Sequence, residues 1–370
     1  MTLQSLLIYK GIMVLAVFAI TLLVATYSTY AERKIAAFLQ DRIGPDRAGP
    51  FGILQPLADA VKMFMKEEMI PSVSNKTLFI LGPSIAMLTA CLTGVVIPWG
   101  KSLWINGTEY PLQITDLNIG ILYLFGVISL GVYGIMIGGW ASNNKYSLLG
   151  GIRASSQMIS YEVAMGLSII ALVMTTGSLS LREIAGQQTG WHWNVVYQPL
   201  GCLIFIICAF AETNRAPFDL PECETELVGG YHTEYSSMKL GFFLFAEYIN
   251  MFISSAVIST FYFGGYNMPF VGRWVHDPNW LAVLGIVFLF VKISFFIFFF
   301  MWVRWTLPRF RYDQLMSLGW KIMLPLALGY IVVIAGALLG LDAAGIQRGG
   351  ATVNPQARGS GPMWRPMVRS

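Results

Sequence analysis

The sequence predicts an all-α polytopic membrane protein, with about eight transmembrane helices and one amphipathic helix at the cytoplasmic interface. Three observations predict this class. Mean hydropathy is +0.61 over 370 residues, of which 55% are hydrophobic and only 12% charged. Apolar runs recur along the chain at about 20 residues, the length a helix needs to cross roughly 30 Å of hydrocarbon. Lysine and arginine gather in alternate connections between those runs, as they do where one side of a membrane retains positive charge.

The runs place spans near 6–30, 78–98, 119–140, 157–176, 197–212, 240–263, 281–305 and 320–341. Each must be a helix, because backbone groups in lipid have to pair within their own segment. The fifth is the weakest: its purely apolar part is short, so it is taken to start near Tyr197 and to include Glu212. The first is too long in its apolar part for a cleaved leader, and its basic residues, Arg33 and Lys34, follow it rather than precede it. With Arg304 and Lys10 near the span ends counted, loops after spans one, three, five and seven hold fourteen basic residues, against four for the N-terminus and the other loops. The N-terminus is therefore expected outside and the odd-numbered loops in the cytoplasm. Residues 1–345 read as a single transmembrane domain, and residues 346–370 as a basic tail carrying Arg348, Arg358, Arg365 and Arg369.

The net charge of +4 follows from that asymmetry and gives no reason to expect nucleic acid. Cys91, Cys202, Cys208 and Cys223 form no C-x-x-C pair, and three scattered histidines make no ligand set, so neither a metal site nor an iron–sulfur cluster is expected.

Three polar connections stand out. After span one, "RIGPDRAGPFG" contains Gly44-Pro45 and Gly49-Pro50, which stiffen the backbone into a turn. Leu54, Leu57, Val61 and Phe64 then recur at helical spacing, predicting an amphipathic helix over 53–67 that lies along the interface, as an anchor or as a functional element. Between spans three and four, Gly150-Gly151 marks a hinge or a close contact. The third, "PFDLPECETELVGGYHTEY" (217–235), concentrates Asp219, Glu222, Glu224, Glu226 and Glu234 in a chain otherwise poor in charge. Carboxylates crowded in a partly desolvated place cannot all ionise, so such a set can pass protons or respond to a nearby charge. A solvated loop that docks a basic partner is the alternative. Two prolines and the interleaved Phe218, Leu220, Leu227 and Val228 favour an anchored loop.

Ionisable residues inside the apolar runs carry the same message. Glu162, Glu247 and the buried cation Lys292 each cost several kcal/mol in lipid unless they face protein, water or a partner, and such groups mark ion or proton paths by default. A lysine–glutamate pair that only fixes helix packing is the bland reading of Lys292.

At these residues the chain resembles a known family, the H subunit of bacterial NADH:quinone oxidoreductase (respiratory complex I). The motifs "ERK", "RIGPDRAGPFGILQPLADAVKMFMKEE", "GWASNNKYSLLGGIRASSQMISYEV" and "AETNRAPFDLPECETELVGGYHTEYSSMKLGFF" carry the likeness, which covers nearly the whole chain. The resemblance implies a quinone substrate, ubiquinone or menaquinone, in a channel at the junction of two arms, with no metal or flavin on this chain and NADH used by partner subunits. Those partners would be peripheral iron–sulfur subunits and antiporter-like membrane subunits, in the bacterial inner membrane. The resemblance assigns Glu32, Arg33, Arg42 and Asp59 to the quinone-channel junction, and Lys62 on the same amphipathic helix is expected with them. It assigns Glu162, Asp219, Glu222, Glu224, Glu226, Glu234 and Glu247 to proton coupling. "GKSLWINGTEYPLQIT" and the tail from Gly345 look longer than the family pattern. The anchor subunit of a membrane-bound hydrogenase, a stand-alone ion or proton transporter, and a purely structural scaffold are the competing readings.

Overall fold

The structure is a computed structural model and describes residues 3–105, 107–220, 227–269, 271, 275 and 277–343. Among these, seven helices are long and apolar enough to cross a membrane. They are α1 (Leu3–Leu39), α3 (Lys76–Thr93), α4 (Gly120–Ala141), α5 (Lys145–Thr176), α9 (Ser237–Tyr262), α10 (Pro278–Thr306) and α11 (Tyr312–Ala343). The amphipathic α2 (Gln55–Met65) has Pro56 in its first turn, where a missing N–H costs nothing. Short helices α6 (Leu181–Gln187) and α7 (Asn194–Tyr197) precede α8 (Pro199–Glu212).

α8 occupies the place of the fifth expected span. Pro199 opens it, so Tyr197 belongs to the separate α7, and its 14 residues reach only about 21 Å at 1.5 Å per residue. Other helices run past their expected limits. α5 begins at Lys145, twelve residues before the apolar run starts at Gln157, because Asn144 caps it by accepting from the Tyr146 amide. Glu162 is thus nearly five turns into its helix, far deeper than the sequence pattern indicated.

Small residues set the helix spacing. A Cβ at Gly134 of α4 would stand 2.8 Å from the Ala86 amide nitrogen and 2.9 Å from the Gly82 carbonyl of α3. Gly150 is a close contact rather than a hinge, since it lies inside α5 with the backbone of Gly230 and Tyr231 against it. Phe79, Tyr161, Tyr231, Phe243, Phe252 and Phe261 fill the core between these helices.

The expected long connection after α3 forms a hairpin, β1 (Leu103–Ile105) against β2 (Thr108–Tyr110), antiparallel with Trp104 opposite Glu109. Asn279 at the start of α10 clamps it, accepting from the Trp104 amide at 2.7 Å and donating to its carbonyl at 2.9 Å. The hairpin therefore marks the end of the bundle opposite the polar junction described next.

Candidate functional site

α1 is 37 residues long, about 55 Å at 1.5 Å per residue, well beyond the hydrocarbon thickness. A helix that long extends past the membrane core, and its last turns carry Glu32 and Arg33. Adjacent helical positions point about 100° apart, and here the two charges part company. Glu32 turns inward, 8% exposed, between two arginines: Arg215 Nη1 lies 3.0 Å from Oε2 and Arg304 Nη1 lies 2.5 Å from Oε1. The Tyr248 hydroxyl donates to the same carboxylate at 2.9 Å, and the Arg215 guanidinium stacks 4.2 Å from the Tyr248 ring centre. Arg33 turns outward, to Asp59 of α2 at 2.8 Å.

The turn between α1 and α2 makes that second pair possible. Gly52 has φ +78°, and a Cβ there would collide with the Pro45 carbonyl at 2.3 Å. The fold-back is fixed by the Tyr30 hydroxyl, which donates to the Phe51 carbonyl at 2.6 Å, and α2 returns alongside α1. The far end of α2 is tied to α9: Ser237 donates to the Met63 carbonyl at 3.0 Å and Lys239 meets Glu68 at 2.7 Å. Leu57, Val61, Phe64 and Met65 remain exposed on one side of α2. Arg42 and Lys62 are exposed and ion-pair with nothing among the described residues.

The acidic connection is described up to Leu220 and again from Leu227; Glu222, Glu224 and Glu226 lie outside the described residues. Its described beginning is buried. Asp219 accepts from Arg309 at 2.7 Å, and the Phe310 amide donates to the Pro217 carbonyl at 3.2 Å, so the segment after α10 straps the loop in place. From inside the bundle, Gln157 Nε2 donates to the Ala211 and Phe218 carbonyls at 2.8 and 2.7 Å. Past the gap, Glu234 accepts from Asn144 at 2.7 Å, and the Tyr235 hydroxyl reaches the Phe79 carbonyl at 3.0 Å.

Deeper in the bundle is a cavity of about 30 Å³ whose lining is largely apolar, with Ile135, Met158 and Phe243, but includes Thr89, Glu212 and Glu247. That volume admits at least one water, and the lining supplies the polar partners a buried water needs. Glu247 accepts from the Tyr231 hydroxyl at 3.0 Å. Glu162 is hydrogen-bonded to Ser129 and lies within electrostatic reach of Glu212. One carboxylate oxygen of Glu212 is buried without a hydrogen-bond partner.

The residues singled out from sequence thus fall into three places. Glu32, Arg33 and Asp59 meet at the projecting end of α1. Asp219 and Glu234 flank the undescribed stretch, Glu247 lines the cavity, and Glu162 lies within electrostatic reach of Glu212, which lines it too. Lys292 joins none of these: it pairs with no glutamate among the described residues and binds backbone carbonyls at the opposite end of α9. Sequence reasoning missed Glu212 as a site residue, along with the arginines that hold the acids. The usable signal was a lone acid ending the apolar run just before "TNRAPFD". Arg304 and Arg309 carried none, because only folding brings them to Glu32 and Asp219.

A family model described as NADH dehydrogenase matches residues 12–335. The chain is 70% identical over 333 residues to the first of the NADH-quinone oxidoreductase H subunits of Cytophaga hutchinsonii, covering 90% of this chain and 97% of that one. It is 62% identical over 344 residues to the NADH-quinone oxidoreductase H subunit of Flavobacterium johnsoniae, covering 92% and 98%. The chain belongs to the family of NADH-quinone oxidoreductase H subunits. A third member, from Leptospira biflexa, is 49% identical over 341 residues. The matched span runs from α1 into α11, so the junction, the acidic connection and the cavity all fall within the part shared with the family.

Proposed function

We propose that this chain is the membrane subunit of a proton-pumping NADH:quinone oxidoreductase, complex I, that encloses part of the quinone channel and couples quinone reduction to proton movement. The observation that carries the reading is continuity: a Glu32–Arg215–Arg304 cluster connects through the segment Thr213–Leu220 to a cavity lined by Glu212 and Glu247, with Glu162 within electrostatic reach of Glu212.

Each part has a task that its chemistry suits. Ubiquinone or menaquinone approaches through lipid along the exposed apolar face of α2 and meets Arg33, Asp59, Arg42 and Lys62. Arginine presents a planar fork of donors, suited to quinone oxygens as well as carboxylates. Electrons arrive from a peripheral iron–sulfur subunit, and NADH is consumed elsewhere in the complex. Quinone reduction draws protons and changes charge at the junction, and groups that share the same arginines redistribute in response. Arg215 belongs to both the Glu32 cluster and the acidic loop, so a change at Glu32 is felt at Asp219, Glu222, Glu224 and Glu226, and then at Glu212, Glu162, Glu234 and Glu247. From there protons pass towards antiporter-like membrane subunits. We assign this role to residues 1–345 as one membrane unit in the bacterial inner membrane, with the N-terminus outside and the junction facing the cytoplasm, and none of it to the basic tail 346–370.

The test is the intact complex in proteoliposomes carrying Glu212→Gln or Glu162→Gln. Acidification per NADH oxidised should fall several-fold in each variant, with the complex assembled at the parental level. Parental acidification per NADH in both variants refutes the coupling role of these carboxylates.

A further inference from the structure

The end of α9 opposite the junction is closed by Gly264 in the left-handed region and by the Gly265 amide, which returns to the Ser259 carbonyl at 2.8 Å, and a cation sits just beyond that closure. Helices leave their last carbonyls without intrahelical partners, and a cation near those carbonyls also suits the helix dipole. Beyond Tyr262 the chain unwinds through Gly264 and Gly265, at φ +77° and +53°, and alternate carbonyls turn towards one point. At that point is the ammonium of Lys292, fourteen residues into α10. It donates to the carbonyls of Phe263 at 2.6 Å, Gly265 at 2.8 Å and Asn267 at 3.2 Å. Two aromatic faces cover the rest, with ring centres 4.5 Å away for Phe288 and 5.1 Å for Trp193. Three acceptors match the three N–H donors of an ammonium, and ring faces attract a desolvated cation. No carboxylate among the described residues completes the shell.

The same backbone is held from its other side. Gln188 Oε1 accepts from the Gly264 amide at 3.0 Å, Asn267 Nδ2 donates to the Ala185 carbonyl at 2.5 Å, and Asn194 Nδ2 donates to the Phe261 carbonyl at 2.7 Å. A set of carbonyls and rings, held in part by Gln188, Asn194 and Asn267, therefore surrounds the ammonium that the lysine stem delivers from α10.

We infer that the Phe263, Gly265 and Asn267 carbonyls with the Phe288 and Trp193 rings form a binding site for a primary ammonium, which Lys292 fills as a tethered ligand. Lys292 is a positioning residue: it fixes the end of α9, the helix that carries Glu247 and Tyr248 in its other half. This assignment rests on no assumption about quinone chemistry. It predicts that a free alkylammonium ion replaces the side chain when the lysine is removed.

The experiment is hydrogen–deuterium exchange on the intact complex in native membranes, read at the amides of Gly265 and Asn267, which donate at 2.8 Å to Ser259 and Gly264 carbonyls. Lys292→Ala should speed exchange there about tenfold or more, as expected when a local unit loses its anchor. Propylammonium should restore the parental rate, and 1-propanol, equal in shape but uncharged, should not. Unchanged exchange in Lys292→Ala, failure of propylammonium to slow it, or equal rescue by propanol overturns the site. If Lys292→Ala does not assemble, the comparison moves to Lys292→Arg and Lys292→Met. Assembly with arginine but not methionine supports a cation requirement, as does assembly of both with fast exchange in the methionine variant alone. Parental exchange in the methionine variant, or equal failure of both, overturns it.

Discussion

Glu32→Gln tests how much the junction depends on one buried carboxylate. The Glu32 side chain is 8% exposed and Arg215 5%, while Arg304 is 24% exposed. Replacing the carboxylate by its neutral isostere leaves two guanidinium groups facing each other, one of them fully enclosed. Breaking a buried pair in this way costs about 3–5 kcal/mol, because the carboxylate no longer offsets the guanidinium charge beside it. Asp59→Asn removes a carboxylate from Arg33 on the same projecting turn, but that pair is 49% and 31% exposed. Exposed pairs are worth about 0–1 kcal/mol, so Asp59→Asn sets the baseline. A gap of about 3 kcal/mol is a factor of more than a hundred in the folding equilibrium, since each 1.4 kcal/mol is tenfold. The assay is reversible unfolding of the purified full chain in mixed micelles, followed by tryptophan fluorescence. Adding Arg215→Met to Glu32→Gln should recover part of the loss, because it removes one of the two guanidinium groups left facing each other. The reasoning fails if Glu32→Gln costs no more than Asp59→Asn, or if the double variant is as unstable as the sum of the singles.

Two further outcomes follow from packing and hydrogen bonding. Gly134→Ala forces a methyl group against the α3 backbone, at 2.8 Å from the Ala86 nitrogen, and should destabilise by about 1–3 kcal/mol. Gly126→Ala, on the same helix with nothing within 4 Å of its Cβ, should be neutral or stabilising by about 0.5–1 kcal/mol in the same unfolding assay. Gln157→Leu takes the amide away from the Phe218 carbonyl, and an unsatisfied buried acceptor costs about 1–3 kcal/mol. Amide exchange at Phe218, which donates to Arg215 at 2.9 Å, should accelerate in that variant while exchange in α1 stays unchanged.

How legible the molecule was from its sequence depended on the range of the physics. Apolar run length fixed the helices and their class, because the requirement for internally paired backbone in lipid is local and leaves little choice. The same rule blurred the limits of α1 and α5, whose polar extensions lie beyond the hydrocarbon and are fixed by caps and tertiary contacts instead. α8 is the run that sequence already marked as the weakest span, and Pro199 at its start separates it from α7 and leaves it 14 residues long.

Charge told a comparable story. Sequence alone marked Glu162, Glu247, Asp219 and Glu234 as unusual, since an ionisable group in or beside an apolar run is costly wherever it ends up. It did not reveal which partners offset that cost. Glu32 and Arg33 are neighbours in sequence, yet one is buried between Arg215 and Arg304 and the other pairs at the surface with Asp59. Lys292 looked like half of an ion pair and instead binds three carbonyls. Pairing is a property of distance, and residues 183 and 272 positions apart become neighbours only when the bundle closes. The sequence by itself determined that charges must be sheltered; the tertiary structure decided by what.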